Sequence, residues 1–186
     1  SGKSIRQLRK NGIEVTVGVY KNEAKKINAA FFTKFNLDRP YVIAKSAISL
    51  DGKITTSDNK SKWISSNQSR QDVQKERARS SAILTTSNTV IKDNPRLTVR
   101  RYDVLKKINK QPMLILLDTN LKVPRTNHIF KQKNRNIIIF TSKKITEKII
   151  RQYNSNVTLY KIKKTANGID LTNSFKILAN NNIHKL

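Results

Sequence analysis

Short runs of consecutive apolar residues constrain this chain more than any other feature. Ala82-Ile83-Leu84-Thr85-Thr86, Met113-Leu114-Ile115-Leu116-Leu117-Asp118 and Asn136-Ile137-Ile138-Ile139-Phe140 carry apolar side chains at successive positions. Such runs suit strands covered on both faces, as in a parallel sheet. Val157–Ile162 reads as a further strand. Helical segments are expected between them, over Gln68–Ser80, Ile145–Arg151 and Leu171–Ala179, with Ser66 or Asn67 able to cap the first. Strands alternating with helices predict an α/β domain with a mainly parallel sheet flanked by helices.

Upstream, a short helix over residues 5–11 is stopped by Gly12, and a brief strand is expected over Ile13–Val19. One helix is predicted for Asn22–Phe35, with Ala24, Ile27, Ala30 and Phe31 on one face. Asp38-Arg39-Pro40 ends it, because the residue before a proline is pushed out of the helical region, and marks a boundary. Beyond it Tyr41–Ile48 reads as a strand, Ser49–Lys53 as a turn, and a polar loop follows to Lys62. The 186 residues suffice for one domain with a real core, or one domain plus a fragment. The first residue is Ser1 rather than Met, so a cut from a longer protein is expected, and a further strand is due at Ile183–Leu186.

Composition narrows the chemistry. Without cysteine the chain has neither disulfides nor cysteine-ligated zinc, and His128 and His184 alone give no protein-only metal centre to expect. No apolar stretch approaches the roughly 18 residues of a membrane span, and the N-terminus lacks a signal-peptide layout. A cytoplasmic protein without membrane partners is the expectation. The formal charge of +26 fits phosphate neutralisation on nucleic acid, or compositional drift in a chain loaded with Lys, Asn and Ile. The basic residues are scattered, Lys exceeds Arg about two to one, and no RNP, zinc-finger or helix-turn-helix signature is present. Drift, with some attraction for anionic ligands, accounts for this better than dedicated nucleic-acid binding, although an RNA- or polyanion-binding module stays the competing reading.

No GxGxxG and no complete P-loop is present, since Gly2-Lys3-Ser4 lacks the upstream glycine and strand, and no Ser/His/Asp set can be drawn. What remains are polar residues at the carboxyl ends of expected strands, where ligands bind in open α/β sheets: Ser49, Asp51 and Gly52, then Thr85-Thr86-Ser87, then Asp118-Thr119. Asp51-Gly52 serves equally as a tight turn.

One ordered series is more specific. Ser49-Leu50-Asp51-Gly52-Lys53 is followed by Ser61-Lys62-Trp63-Ile64-Ser65, Asp72-Val73-Gln74, Arg77-Ala78-Arg79-Ser80 and Ala82-Ile83-Leu84-Thr85. Thr89-Val90, Asp93-Asn94-Pro95-Arg96-Leu97-Thr98-Val99-Arg100 and Gln111-Pro112 complete it. Over residues 39–119 the series resembles the C-terminal reductase of the bifunctional riboflavin-biosynthesis deaminase/reductase family. Gly12-Ile13-Glu14-Val15, Gly18-Val19 and Glu23-Ala24, with Asn28 and Phe31 after them, resemble the end of that family's deaminase domain. Residues 1–36 are accordingly assigned to the tail of an upstream deaminase domain and its connector, and 37–186 to a partial reductase domain.

The resemblance implies a dihydrofolate-reductase-like α/β fold, incomplete at the C-terminus, that binds NADPH. The family reduces the ribosyl unit of 5-amino-6-(5-phosphoribosylamino)uracil to a ribityl chain, by hydride transfer to the sugar C1′. The cofactor carries the redox step and the protein orients two anionic ligands, so no catalytic triad is required. Matched position by position, Ala47, Ser61, Trp63, Thr89, Asp93 and Thr119 contact the cofactor. Arg77, Leu97 and Arg100 contact the phosphorylated pyrimidine substrate, the two arginines suiting its phosphate, and Lys45 is placed to polarise the sugar. The resemblance further implies a homodimer and leaves open a separate deaminase chain. The family's next strand, glutamate and Gly-rich turn lie beyond the matched residues, and Thr86-Ser87-Asn88 stands where related chains often carry glycine. An inactive, truncated reductase is thus a further alternative.

Overall fold

A computed structural model describes residues 2–55, 64–100, 111–132, 134–166 and 168–186. The apolar runs form β1 (Ala82–Thr86), β2 (Met113–Leu117) and β3 (Ile137–Thr141), and β4 (Val157–Lys161) joins them. All neighbours pair in parallel in the order β1-β2-β3-β4, with Leu84 opposite Ile115 and Ile115 opposite Ile138. Side chains alternate faces along each strand, so the sheet sorts its apolar residues into two cores. Ile115, Ile138 and Phe140 face helix α7 (Leu171–Asn180), whose Leu178 is buried among them with Phe175 and Ile177 alongside. Leu114, Leu116, Ile137 and Ile139 face the other way, against Val90 of α5 (Ser87–Asp93), the loop residue Val123, and Ile129 and Phe130 of the 3-10 turn His128–Lys131. Every residue of β3 is buried, as expected of an inner strand covered by helices on both sides. Each such side chain contributes about 1.5–3 kcal/mol of transfer free energy.

Two helices are fixed at their start by side chains. The Ser66 hydroxyl accepts from the Ser69 amide at 3.1 Å and opens α4 (Asn67–Arg79); Asp170 Oδ1 accepts from the Asn173 amide at 3.1 Å and opens α7. The short α6 (Glu147–Ile150) follows β3, and a two-residue hairpin, β5 (Lys164–Thr165) with β6 (Gly168–Ile169), precedes α7.

Three sequence expectations are corrected. Ile13–Val19 forms no strand: Ile13, Val17 and Val19 are exposed, and a single extended segment has no ladder to join. The helix expected over Asn22–Phe35 is two, α2 (Lys21–Ile27) and α3 (Ala29–Leu37). They are divided at Asn28, whose side-chain Nδ2 and backbone amide both donate to the Ala24 carbonyl, so the asparagine competes with helix continuation. Together with α1 (Lys3–Lys10) they bury no side chain. Tyr41–Ile48 is likewise not a strand. Tyr41 makes an isolated parallel bridge to Lys185, with Ile43 N donating to Leu186 O at 3.0 Å, and pairing stops there. Lys185 O also accepts from Ala82 N at 3.2 Å, so residues 184–186 lie between the 41–43 segment and the start of β1.

Candidate cofactor and substrate site

The carboxyl ends of β1 and β2 open into a cleft of about 600 Å³. One wall carries Thr86, Ser87 and Asn88, where β1 passes into α5, together with Leu117 at the end of β2 and Thr119 just beyond it. The other carries Thr165, Gly168 and Ile169 of the hairpin, and Asp170 and Leu171 at the start of α7. Thr119 is held firmly: its carbonyl accepts from the Ser142 amide, the Thr141 hydroxyl and the Ser142 hydroxyl, each at 3.0 Å. Asp118 is not a cleft group. It is buried, and its carboxylate accepts from the Lys122 and Val123 amides at 2.9 Å, closing the loop after β2. The lining combines hydroxyl and amide groups with the apolar Leu117, Ile169 and Leu171, the mixture that suits a nucleotide.

Of the cofactor residues expected from sequence, the structure brings Thr119 to the cleft and Thr89 close by, its hydroxyl 3.4 Å from that of Thr86. Asp93 ends α5, about 9 Å along the helix from Ser87. Behind it Asn94 turns left-handed (φ 41°), and its side-chain oxygen accepts from the His128 amide at 2.8 Å, so Asp93-Asn94-Pro95 serves a turn. Ala47 and Lys45 lie on the extended segment after Ile43, half-buried and exposed respectively, and neither lines the cleft. Ser61 and Trp63 lie outside the described residues. Ser49–Lys53 is a surface turn. Gly52 N donates to Ser49 O at 3.0 Å, and Asp51, hydrogen-bonded by Ser49 and paired with Lys53, is held below the usual carboxylate range.

The residues expected to meet the substrate gather elsewhere, around residues 96–100. Arg77 of α4 is half-buried and its Nη1 donates to Thr98 O at 3.2 Å; burial, then the charge of Arg100, pushes its guanidinium down. Leu97 is left-handed (φ 52°) and rests on the Leu114–Ile139 side of the core. Arg100 has an exposed side chain, and its amide donates to Gln74 Oε1 at 2.8 Å. Sequence reasoning missed a third cation, Arg135, which is 1 % exposed. Burial, then the charge of Arg77, pushes its guanidinium down to about 10, still charged at neutral pH. In sequence it sits in a polar Asn134-Arg135-Asn136 stretch, which reads as surface. Asn88, Thr165 and Asp170 were missed as well; the polar position opening the helix expected from Leu171 was the available signal for Asp170.

Comparison with known proteins now decides the family. Residues 40–186 match the RibD C-terminal domain. The chain belongs to the RibD C-terminal domain family. It is 39% identical over 175 residues to the riboflavin biosynthesis protein RibD of Aquifex aeolicus, covering 88% of this chain and 48% of that one. The corresponding protein of Chlamydia pneumoniae is 34% identical over 184 residues, 98% of this chain and 48% of that one. The chain therefore spans about half the length of these relatives. Among solved structures, RibD of Acinetobacter baumannii superposes with a TM-score of 0.82 at 29% identity, over 100% of this chain and 49% of that one. The diaminohydroxyphosphoribosylaminopyrimidine deaminase/5-amino-6-(5-phosphoribosylamino)uracil reductase of Thermotoga maritima gives 0.80 at 30% identity, over 99% and 48%. The riboflavin biosynthesis reductase Rib7 of Saccharomyces cerevisiae, at 19% identity and 0.58, shares the fold. The α/β architecture is dihydrofolate-reductase-like, as expected from sequence. Among the described residues, no helix is long and apolar enough to cross a membrane.

Proposed function

We propose that this domain reduces the ribosyl group of 5-amino-6-(5-phosphoribosylamino)uracil to its ribityl form with NADPH, in riboflavin biosynthesis. The reductase named in the Thermotoga maritima relative is the source of the substrate. The observation that carries the reading is the pairing of a nucleotide-sized cleft at the ends of β1 and β2 with a separate group of arginines that meet no carboxylate among the described residues.

The donor set fits a dinucleotide. Hydroxyls of Thr86, Ser87 and Thr119 and the Asn88 amide offer hydrogen bonds to phosphate and ribose oxygens, while Leu117, Ile169 and Leu171 cover an apolar ring. Thr89 extends the same wall, and Ala47, Ser61, Trp63 and Asp93 are assigned to the cofactor by family position. When bound, the reduced nicotinamide supplies a hydride to the sugar C1′. The chain's own part is orientation and charge. Arg77 and Arg100 receive the substrate phosphate, Leu97 packs against the substrate, and the Lys45 ammonium polarises the sugar oxygen and supplies its proton as the ring opens. No protein nucleophile is needed.

The test is substrate-dependent NADPH oxidation by the purified chain in about 0.2 M salt, which screens bulk charge attraction. Oxidation that requires the phosphorylated substrate is expected. Retention of RNA without any cofactor turnover favours a polyanion-binding module instead, and absence of both points to an inactive reductase.

A further inference from the structure

Residues 95–100 follow α5 as an irregular strap, held by four side chains from three other parts of the chain. Arg77 Nη1 donates to Thr98 O, and Gln74 Oε1 receives the Arg100 amide. Gln111 grips Val99 at both ends, its Oε1 accepting from the amide at 2.8 Å and its Nε2 donating to the carbonyl at 3.0 Å. Arg135 holds the carbonyl just before the left-handed Leu97. Its Nη1 donates to Arg96 O at 3.2 Å, while its Nε donates to Pro112 O at 2.7 Å, at the entry to β2. A leucine at positive φ persists only where its surroundings over-determine it, and the Arg135 fork is one of the groups that does so.

The charge of Arg135 needs its own account. A guanidinium withdrawn from water normally meets a carboxylate. Arg135 is 1 % exposed, meets two carbonyl oxygens, and its Nη2 is buried with no hydrogen-bond partner among the described residues. Glu76, beside Arg77 in sequence, pairs with Arg79 and Lys185. Arg77 lies within electrostatic reach of both Arg135 and Arg100. Three cations therefore gather at one strap with no carboxylate contact among the described residues, an arrangement that an incoming phosphomonoester dianion relieves.

We propose that Arg135 is a positioning residue for the substrate-phosphate site. It fixes the strap that aims Arg77, and its buried charge adds to those of Arg77 and Arg100, so the site selects a dianionic phosphosugar over the neutral sugar. The proposal rests on the reading of Arg77 and Arg100 as phosphate ligands.

Equilibrium titrations of the full chain with ribose 5-phosphate and with ribose, in about 0.2 M salt, test it. They compare wild type, Arg77→Ala, Arg135→Gln and Arg135→Lys, each checked for folding by its unfolding midpoint. Wild type prefers the phosphosugar and Arg77→Ala loses that preference. Arg135→Gln lowers the preference about tenfold, the size of one charge-assisted contact, with ribose affinity unchanged, and Arg135→Lys recovers part of it. A folded Arg135→Gln with wild-type preference overturns the proposal and leaves the Arg77 reading standing. Parallel loss of both ligands overturns it too, since a merely structural role predicts that. If Arg135→Gln does not fold, Arg135→Lys decides by whether its preference falls or matches wild type. A wild type without preference, or a preference surviving Arg77→Ala, overturns the phosphate reading and the proposal together.

Discussion

The guanidinium of Arg77 reaches from α4 to the carbonyl of Thr98, 3.2 Å away, and ties the helix to the strap carrying Leu97 and Arg100. That contact uses one of the five guanidinium donors, leaving others for a ligand. Arg77→Ala is predicted to weaken binding of the phosphorylated substrate about 10- to 100-fold, the worth of one lost charge-assisted contact. NADPH affinity stays within about twofold. Separate titrations with each ligand check this, and equal loss of both contradicts the assignment.

Thr119 is anchored through its carbonyl by Thr141 and Ser142, so its side chain can be changed without releasing the loop. Thr119→Val is expected to keep the unfolding midpoint and to weaken NADPH by about three- to tenfold, one neutral hydrogen bond's worth. Unchanged affinity removes Thr119 from the cofactor site.

The strands were legible in sequence because Ala82–Leu84, Met113–Leu117 and Ile137–Phe140 carry apolar side chains at successive positions, as a sheet packed on both faces requires. The start of α7 was legible for a similar local reason, its apolar spacing beginning after Asp170. Tyr41–Ile48 has strand composition, yet a strand needs a partner, and only Tyr41 to Ile43 meets one, in residues 184–186. Helix α5 was missed because Ser87-Asn88-Thr89-Val90 has weak helical propensity; burial of Val90 against the sheet overrides it. Thr119 was marked by its place after the β2 run as well as by family resemblance, Arg77 and Arg100 by resemblance alone. Arg135 was marked by neither, because it meets Arg96 and Pro112 across 39 and 23 positions. No local pattern reports such contacts.

Glu76 joins α4 to the C-terminal segment through Lys185, at 3.2 Å, and also pairs with Arg79. The hydrogen bond from Lys185, above all, holds its carboxyl below the usual 4.5. A depressed carboxyl stabilises the fold above its unfolded value, and the contribution is lost as pH falls through the folded value. Wild type therefore loses stability below about pH 4.5, and Glu76→Gln flattens that dependence. At neutral pH the substitution costs about 0.5 kcal/mol, discounted for solvent screening. Unfolding midpoints of both proteins between pH 3 and 7 check it.

Tyr153 lies under the Arg125 guanidinium, 3.9 Å from the ring centroid, and burial pushes its phenol up to about 12. The folded state keeps the proton that the unfolded chain gives up near pH 10, so this stability is present below pH 10 and is lost between about 10 and 12. Tyr153→Phe retains the stacking and is predicted to show a shallower loss of stability over that range, read from alkaline denaturation midpoints.

The central claim is that the cleft at the ends of β1 and β2 holds NADPH. Its most direct test is a nuclear magnetic resonance titration of the isotope-labelled chain with NADPH in about 0.2 M salt. The account predicts saturable shifts centred on Thr86, Ser87, Asn88, Thr119 and Asp170, with weaker binding of NADH. Shifts confined to surface lysines, or none at saturating NADPH, contradict it.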